Sequence, residues 1–336
     1  MKLWFGRGAW ASKKGHRMAA SMEPESVRKI AVIRHAALGD LLLTRPFLIE
    51  LRKAFPNAII TLSAVSNYTR GMPEDLIDRV HIVAARSNKE LTVRQKIQQF
   101  KELGEQDIIF DLAVTNRSMK TCLLNKAKLK IGFPYNSIQA RLVYDVATPR
   151  SDLNFELSDM LMMLNVLGIK TAYPHQFNLP GEALKRDKPY LIYFPGASSL
   201  DKCWPSAHFS ELMRDLSERY PNHEHLVLEG IQEWEKADPI LEPLQDLENV
   251  GSIIADNIED TTKVIKGAEL VVSNDTGIRH LAIAAETPTV GIFFRDPFRY
   301  WPRYDIHDIA IPDPDWPPSV DAVQEACLNV LGRGAS

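Results

Sequence analysis

Short apolar runs rich in β-branched residues alternate with segments of helical periodicity from Lys29 to the end of the chain. The first run, Lys29–Arg34, has the sequence KIAVIR, and the segment Leu41–Phe55 after it repeats apolar residues at helical spacing. Strands that are separated by helices run parallel in one sheet, with the helices packed on its faces. The alternation therefore predicts an α/β fold built from doubly wound parallel sheets.

This pattern is interrupted once, in a segment of little periodicity that is rich in proline, glycine and charge. We interpret residues 171–188 as a linker between a first domain, 28–170, and a second domain, 189–336. The two domains are expected to face one another across a cleft, with ligands bound beyond the carboxyl ends of the strands. Further strands are predicted at Ala58–Val65, Val80–Ala84, Asp107–Val114, Leu129–Phe133, Tyr190–Phe194, His225–Glu229, Leu270–Ser273 and Thr289–Phe293. Further helices are predicted at Asn154–Gly168, Ser206–Tyr220, Ile258–Gly267, Thr276–Ala285 and Val320–Leu331.

Length and composition agree with two globular domains and exclude several classes of protein. The chain has 336 residues, which suits two domains of about 150 residues each. Its net charge of −3 provides no field that would attract nucleic acid, so no nucleic-acid partner is expected. Cys122, Cys203 and Cys327 are too few and too scattered for a disulfide framework or a zinc site, which fits a reducing cytoplasm. No window reaches the roughly 18 consecutive apolar residues of a membrane-spanning helix.

The first 22 residues differ from the rest of the chain, because they carry five basic side chains, no acid and several large apolar side chains. They lack the apolar stretch of a secretory signal. We assign residues 1–27 to a basic leader that is disordered. Two alternatives remain: a start codon at Met18 or Met22, or a segment that touches an anionic membrane surface.

The turn after the first predicted strand, His35–Asp40, has the sequence HAALGD. Gly39 permits backbone conformations that other residues resist. Asp40 is expected at or next to a helix N-terminus, at the mouth of the predicted cleft. Two interpretations stay open for this carboxylate, because aspartate is a favoured helix cap and is also suited to act as a general base.

Two turns of the second half have the character of anion sites. Pro195–Pro205 is a loop of small residues whose backbone N–H groups could bind a phosphate, with Lys202 adding a point charge. In the other turn, Asp275, Thr276 and Gly277 lie between a strand and a helix, where free N–H groups and the helix dipole favour a phosphate. A solvated surface loop and an ordinary helix cap are the alternatives. His280, one turn into that helix, is interpreted as a packed or capping residue.

Several signatures of other chemistry are missing from the sequence. It contains no nucleotide-binding glycine fingerprint, no nucleophile elbow and no pair of Cys/His clusters at metal spacing. Asp313 and Asp315 match a short D-x-D pattern, but they lie in a proline-rich stretch without a preceding strand. We therefore predict no metal site.

Taken together, the three turns resemble glycosyltransferase family 9, the ADP-heptose:lipopolysaccharide heptosyltransferases, over nearly all of residues 28–330. The resemblance rests on I-R-x-x-x-L-G-D-x-L-x-T-x-P, F-P-N-A-x-I, P-G-A-S-S-x-D-K-x-W-P, V-V-S-N-D-T-G-x-x-H-L-A and T-P-T-V. These segments span Ile33–Pro46, Phe55–Ile60, Pro195–Pro205, Val271–Ala282 and Thr287–Val290.

This resemblance implies a GT-B architecture with the acceptor on the first Rossmann-like domain and the nucleotide sugar on the second. It implies inverting, metal-independent transfer in which Asp40 is the base and Lys202 neutralises the donor diphosphate. The donor-binding residues that it implies, with Glu229 matched by position alone, are Gly196, Ser198, Ser199, Lys202, Glu229, Asp275, Thr276, Gly277 and His280. The acceptor-binding residues that we expect are Gly39, Thr44 and Arg295.

The sequence departs from the family pattern at two places. Phe293–Trp301 is bulky and cationic where a Gly-Pro-containing loop is usual, so Arg295 and Arg299 could meet a phosphate or remain solvated. Arg45 stands where a small residue is common. The departures concern the donor and the acceptor rather than the fold.

The function expected from the resemblance is transfer of a sugar, heptose from ADP-heptose, onto a lipopolysaccharide core or related lipid-linked glycan. The enzyme would need no cofactor beyond its nucleotide-sugar substrate. It would be cytoplasmic, with possible peripheral contact with the inner membrane. The alternatives are a transferase of the same fold that uses another nucleotide sugar and an idle protein that only binds a sugar nucleotide or glycan.

Overall fold

The computed structural model describes residues 9–67, 71–85, 88, 90–134, 137–312 and 317–334. The chain divides into two compact units, Met1–Gln176 and Phe177–Ser336. This division falls inside the segment 171–188 that the sequence predicts as a linker. The second part of that segment packs on the second unit, where Lys266 Nζ donates to the carbonyl oxygens of Leu179 and Gly181.

The first unit is one sheet with helices on its faces. In chain order it contains β1 (Trp10–Ala11), α1 (Lys13–Ser21), β2 (Lys29–Ile33), α2 (Leu38–Leu42), α3 (Arg45–Ala54), β3 (Ile59–Val65), β4 (Arg79–Val83), α4 (Val93–Lys101), β5 (Gln106–Asp111), α5 (Asn116–Leu124), β6 (Ala127–Gly132), α6 (Ser137–Val143), β7 (Val146–Ala147) and α7 (Glu156–Asn165). The strand order is β1-β7-β6-β5-β2-β3-β4, and every pair is parallel except β1 with β7.

The second unit repeats this plan without an antiparallel strand. It contains β8 (Tyr190–Phe194), α8 (Ser206–Arg219), β9 (Glu224–Glu229), α9 (Asp238–Leu241), β10 (Val250–Ile254), α10 (Ile258–Gly267), β11 (Leu270–Asn274), α11 (Gly277–Ala284), β12 (Thr289–Ile292), β13 (His307–Ala310) and α12 (Val320–Gly334). Its strand order is β10-β9-β8-β11-β12-β13, all parallel. Its core packs the sheet against α8, α9 and α12.

Among the parallel strands of each sheet the strand order changes direction once. The change lies between the neighbouring strands β2 and β5 in the first sheet and between β8 and β11 in the second. The carboxyl ends of the paired strands meet there, with Ile33 opposite Asp111 and Phe194 opposite Ser273. Ligands of doubly wound sheets bind at such a reversal, because the connecting helices diverge to opposite faces and leave a crevice. The turns singled out in the sequence start at these strand ends.

The predicted fold class of two parallel, Rossmann-like sheets is confirmed, and each predicted strand overlaps an observed one. One predicted helix, Leu41–Phe55, is wrong as a single element, since α2 ends at Leu42 and α3 starts at Arg45. The cause is Pro46, which has no N–H to donate to the carbonyl four residues earlier. The edge strands β10 and β13 were not predicted, and neither were β1 and β7.

The prediction of a disordered leader is wrong for the part that the structure describes. β1 pairs with β7, Ser12 N–H donates to the carbonyl oxygen of Asp145 over 2.8 Å, and α1 follows. A sheet edge presents unpaired N–H and C=O groups, so a strand laid along β7 satisfies them. The Arg141 guanidinium lies 5.2 Å over the Trp10 ring. Residues 1–8, with Trp4 and Phe5, lie outside the described residues.

Among the described residues, no helix combines the length and the apolar character that crossing a bilayer requires. The three cysteines are free thiols, of which Cys122 and Cys327 are buried.

Candidate active site

Asp40 lies in the first turn of α2, directly beyond the end of β2. The N-cap position of this helix belongs to Ala37, which makes no side-chain capping bond. The Asp40 carboxylate instead accepts a hydrogen bond at Oδ1 from Arg34 Nη2 over 3.2 Å, and the side chain is 30% exposed. The capping interpretation of Asp40 is therefore not what the structure shows.

Arg34 connects this carboxylate to the interior of the first unit. Its Nη1 donates to the carbonyl oxygen of Leu112 and to Oε1 of Glu156, each over 2.9 Å. Both Arg34 and Glu156 are almost fully buried, and Arg150 Nη2 lies 3.7 Å from the same Glu156 oxygen. From the sequence, Arg34 was placed within a motif but given no role, and Glu156 was missed, because two residues 122 positions apart share no local signal.

Thr44 and Arg45 follow α2, and the side chain of each makes a polar contact that holds this part of the chain in place. Thr44 is fully buried, and its hydroxyl donates to the carbonyl oxygen of Asp40 over 2.8 Å. Gly39 is buried within α2. Arg45 forms a two-pronged ion pair with Asp75, at 2.8 and 2.6 Å, which gives this departure from the family pattern a structural role. In this structure neither Gly39 nor Thr44 presents a side chain for contact with an acceptor.

His35 begins a buried chain of hydrogen bonds that crosses β3 and β4. Its Nε2 lies 3.0 Å from Ser63 Oγ, which lies 2.8 Å from His81 Nδ1, while His81 Nε2 lies 2.8 Å from the carbonyl oxygen of Gln99. Because that carbonyl only accepts, His81 Nε2 carries a proton, Ser63 donates to His81 Nδ1, and His35 Nε2 donates to Ser63. Burial lowers the pKa of His35 to about 3, with Arg117 adding to the effect, so the ring stays neutral.

A cavity of about 600 Å³ opens beyond the ends of β4 and β5 in the same unit. Among the described residues of its wall, three are cationic, Lys96, Arg117 and Lys120, and none is acidic. The N-terminus of α5, with Thr115 as its cap, forms another part of the wall. Cations and helix N–H groups together suit an anionic ligand.

In the second unit, Asn274 joins the two predicted anion turns. This residue ends β11 and is fully buried. Its Nδ2 donates to the carbonyl oxygens of Pro195 and Gly196, at 2.7 and 3.2 Å, and its Oδ1 accepts from Trp204 N–H. The loop after β8 is thereby held beside the turn after β11, which sequence spacing alone did not reveal.

The turn after β11 leads directly into α11. Thr276 is the N-cap, and its Oγ1 accepts from the N–H of Ile278 over 3.2 Å. Gly277 is the first helical residue. Asp275 is 39% exposed, with Oδ1 at 4.0 Å from His280 Nε2. The His280 ring packs edge-on against Tyr300 at 5.2 Å, as the packing interpretation expected.

Lys202 lies on the loop after β8 with its side chain exposed, and its Nζ donates to Ser198 Oγ over 3.2 Å. A hydrogen bond from Ser199 lowers the pKa of the neighbouring Asp201 carboxyl, and the cations Lys202 and Arg295 contribute. Arg295, which we expected at the acceptor, therefore lies near the Lys202 loop of the second unit. Ser198, Ser199 and Lys202 thus lie close together on the loop, and Arg295 lies within electrostatic range of Asp201.

Glu229 and Glu235 are the carboxylates near the end of β9. Glu229 Oε2 lies 3.5 Å from Lys236 Nζ. Glu235 lies against Gly196 and Gly230, where an added Cβ would collide with its side chain. Sequence reasoning missed Glu235, since nothing in G-I-Q-E-W-E distinguishes it from Glu233. Carboxylates at this strand end suit the hydroxyl groups of a ribose.

Among the residues that the structure describes, no group of three or more His, Cys, Asp or Glu side chains is placed to hold a metal ion. Asp313 and Asp315, the D-x-D pair of the sequence, lie outside the described residues.

Comparisons with known proteins identify one family and several related proteins. The sequence model of one family, described as glycosyltransferase family 9 (heptosyltransferase), matches residues 97–317. Lipopolysaccharide heptosyltransferase 1 of Campylobacter coli is 24% identical over 299 residues, which cover 80% of this chain and 84% of that protein.

Two solved structures share the fold. The Escherichia coli heptosyltransferase WaaC with ADP-2-deoxy-2-fluoro heptose superposes with a TM-score of 0.71 at 19% identity, covering 88% of this chain and 98% of that one. The Escherichia coli ADP-heptose lps heptosyltransferase II gives a TM-score of 0.69 at 17% identity, covering 92% of this chain and all of the other. Identities this low establish the fold alone.

Proposed function

The chain belongs to glycosyltransferase family 9, as the resemblance of its motifs predicted, and from this premise we propose that it transfers heptose from ADP-heptose to a lipopolysaccharide core or related lipid-linked glycan. The proposal rests on the polar groups that lie at the carboxyl edge of each sheet. One edge presents an oriented carboxylate, Asp40, and the other presents a cation and a helix N-terminus, Lys202 and α11.

The second unit binds the donor in this proposal. The diphosphate lies between Lys202 and the N-terminus of α11, where Thr276 and Gly277 present backbone N–H groups. Gly196, Ser198 and Ser199 line the diphosphate from the loop after β8, Asp275 and His280 contact the sugar side, and Glu229 with Glu235 receives the ribose. Departure of the diphosphate builds negative charge, which a lysine and helix N–H groups stabilise without a metal.

The first unit binds the acceptor. The acceptor hydroxyl attacks the anomeric carbon of the donor sugar, the bond from that carbon to the diphosphate oxygen breaks, and the hydroxyl proton passes to Asp40. A single displacement of this kind inverts the anomeric configuration. A carboxylate aimed at the attacking oxygen can take up its proton in the transition state.

Anionic groups of the acceptor find cations at two places in this proposal. The cavity of Lys96, Arg117 and Lys120 lies on the carboxyl side of the sheet that also carries Asp40. Arg295 provides a further cation on the second unit. A lipid-linked acceptor implies that the enzyme works in the cytoplasm, in peripheral contact with the inner membrane.

An Asp40→Asn variant tests the proposal most directly. We expect transfer to fall by about 10²–10⁴-fold, the usual contribution of a general base, while ADP affinity stays within a few-fold of wild type. Transfer is measured as ADP release from ADP-heptose with a lipid-linked acceptor, and ADP affinity by calorimetry. Asp256→Asn, at an exposed position of the second unit, is the control for loss of a carboxylate.

Unchanged turnover of Asp40→Asn would remove the base from this proposal. A screen of ADP-, UDP- and GDP-sugars with the wild-type protein separates the alternatives. Turnover with another donor would favour a different transferase, and ligand binding without turnover of any donor would favour a binding protein. EDTA should leave the rate unchanged if no metal takes part.

A further inference from the structure

Arg34 forms a fixed contact between the interior of the first unit and Asp40. It follows β2, and its guanidinium reaches three other parts of the unit. Nη1 donates to the carbonyl oxygen of Leu112 beyond β5 and to Glu156 of α7, and Nη2 donates to Asp40 of α2. Nε lies 3.4 Å from the carbonyl oxygen of Asp40, so both the backbone and the side chain of this residue are engaged.

The charges of this cluster are balanced within the protein. A guanidinium that is 4% exposed is costly to bury unless a carboxylate and hydrogen bonds compensate it. Glu156, 3% exposed, supplies that carboxylate at 2.9 Å, and Arg150 approaches the same oxygen at 3.7 Å. Two cations, Arg34 and Arg150, thus face two anions, Glu156 and Asp40. Glu156 is the buried partner of Arg34, and Asp40 is its partly exposed partner.

The two oxygens of the Asp40 carboxylate are in different situations. Oδ1 is fixed by Arg34 on the protein side. In the part of the chain that the structure describes, Oδ2 has no hydrogen-bond partner, and the side chain is 30% exposed. One oxygen is therefore anchored while the other is left for a group that arrives from solvent.

We propose that Arg34 and Glu156 are positioning residues, which hold the Asp40 carboxylate so that Oδ2 receives the proton of the acceptor hydroxyl. The inference rests on the proposed function, because it requires Asp40 to be the base. Arg34 acts by orienting the carboxylate through Oδ1, and Glu156 acts by fixing the Arg34 guanidinium. A side chain that is locked by buried partners keeps the geometry that proton transfer requires.

A purely structural role of the Arg34–Glu156 pair makes different predictions. If the pair only ties α7 to the sheet, its loss lowers stability and changes activity regardless of the residue at position 40. If the pair acts through Asp40, its loss lowers kcat, and that loss vanishes once Asp40 can no longer accept a proton. Residues that act as a unit show such non-additive effects.

The test is a double-mutant cycle of Arg34→Lys with Asp40→Asn in the full chain. We expect Arg34→Lys to lower kcat by about 10- to 100-fold, the range of a misplaced catalytic group, with the KM for ADP-heptose within twofold. In the Asp40→Asn background the same change should cost less than about twofold in the residual rate. The kcat and KM values are taken from steady-state ADP release, single-turnover runs isolate the transfer step, and folding is checked by thermal denaturation.

Arg52→Lys is the matched control, because Arg52 lies in the same unit, donates to the carbonyl oxygen of Ala58 and is paired with a carboxylate, Asp78. Ala58 and Asp78 precede β3 and β4, at the end of the sheet opposite to Asp40, so this change should lower the melting temperature and leave kcat within about twofold. If Arg34→Lys does not fold, Glu156→Gln takes its place in the cycle, since glutamine keeps an oxygen that accepts from Nη1.

Equal losses of kcat in both backgrounds would overturn the positioning role, even with Asp40 established as the base by its own variant. An unchanged kcat in folded Arg34→Lys would overturn it as well. The proposed function fails separately, through full turnover of Asp40→Asn alone.

Discussion

The carboxyl edges of the two sheets share one topology but hold their polar groups in opposite ways. In the first unit the edge is built from charges, with Asp40 held by buried Arg34, which is held by buried Glu156. In the second unit the scaffold that joins the two loops is neutral, with the Asn274 amide binding backbone groups of both. Lys202 and Asp275, two charged side chains of that edge, are exposed in the structure.

This difference follows from what each edge is proposed to do. A proton acceptor needs one carboxylate in one orientation, and a buried ion-paired cluster fixes its place. A phosphate site needs N–H groups and a cation that can approach the ligand, so the residue that joins its two loops adds no charge that would compete with the phosphate. A neutral amide meets that requirement, because it satisfies buried backbone groups without adding a charge.

The largest expected effect comes from placing a charge in the neutral scaffold, with Asn274→Asp. A carboxylate there would face the carbonyl oxygens of Pro195 and Gly196 and lose the donor that binds them. We expect the free energy of unfolding to fall by about 3–5 kcal/mol, as for a buried charge without its partner. Urea denaturation measures it. Asn257→Asp, at the exposed N-cap of α10, should change stability by less than about 0.5 kcal/mol; similar losses in both variants would contradict a neutral scaffold.

A smaller effect is expected from removing the exposed cation of the second edge, with Lys202→Ala. Loss of one charge-assisted contact to the diphosphate should weaken ADP binding by about 1.5–3 kcal/mol, while adenosine affinity stays unchanged. Calorimetry with both ligands measures the difference. Lys188→Ala, an exposed lysine before β8, is the control for charge alone. Equal weakening of ADP and adenosine would show that the loop supports the nucleoside rather than the phosphates.

The smallest effect concerns the pH dependence of stability in the first unit, where burial raises the pKa of Asp111 to about 7. The native state then keeps a proton between about pH 4 and 7 that the unfolded chain has lost, so Asp111 makes stability fall as pH rises through this window. We expect Asp111→Asn to gain about 1–2 kcal/mol relative to wild type between pH 5 and pH 7.

Comparing the free energies of unfolding of variant and wild type separates the effect of Asp111 from that of the buried histidines. The histidines make stability rise, rather than fall, as the pH increases. Burial lowers the pKa of His307 to about 3 and that of His225 to about 4, so their contribution to stability is lost as pH falls below about 6.5. Denaturant titrations at pH 5, 6 and 7 provide the measurement. A stability difference that does not change with pH would mean that Asp111 is ionised throughout this range.

The buried parallel strands could be predicted from the sequence, whereas three of the four sheet-edge strands, β1, β10 and β13, could not. β8 was predicted with its observed bounds, Tyr190–Phe194, because all five of its residues are buried and apolar or aromatic. β10, Val250–Ile254, was missed because it lies at an edge with none of its five residues buried, and its sequence has no continuous apolar run. The leader was missed for a related reason, since β1 has two residues and is defined by β7.

The same division holds for the candidate site. The turns that end in Asp40 and Gly277 could be located from the sequence, because a strand, a polar turn and a helix are a local pattern of residue types. That Arg34 meets Glu156, that Asn274 joins the loops after β8 and β11, and that Glu235 lies against two glycines were decided by the tertiary structure. Apolar periodicity is read within one element, whereas the partner of a buried charge or amide is whichever group the topology brings within about 3 Å of it.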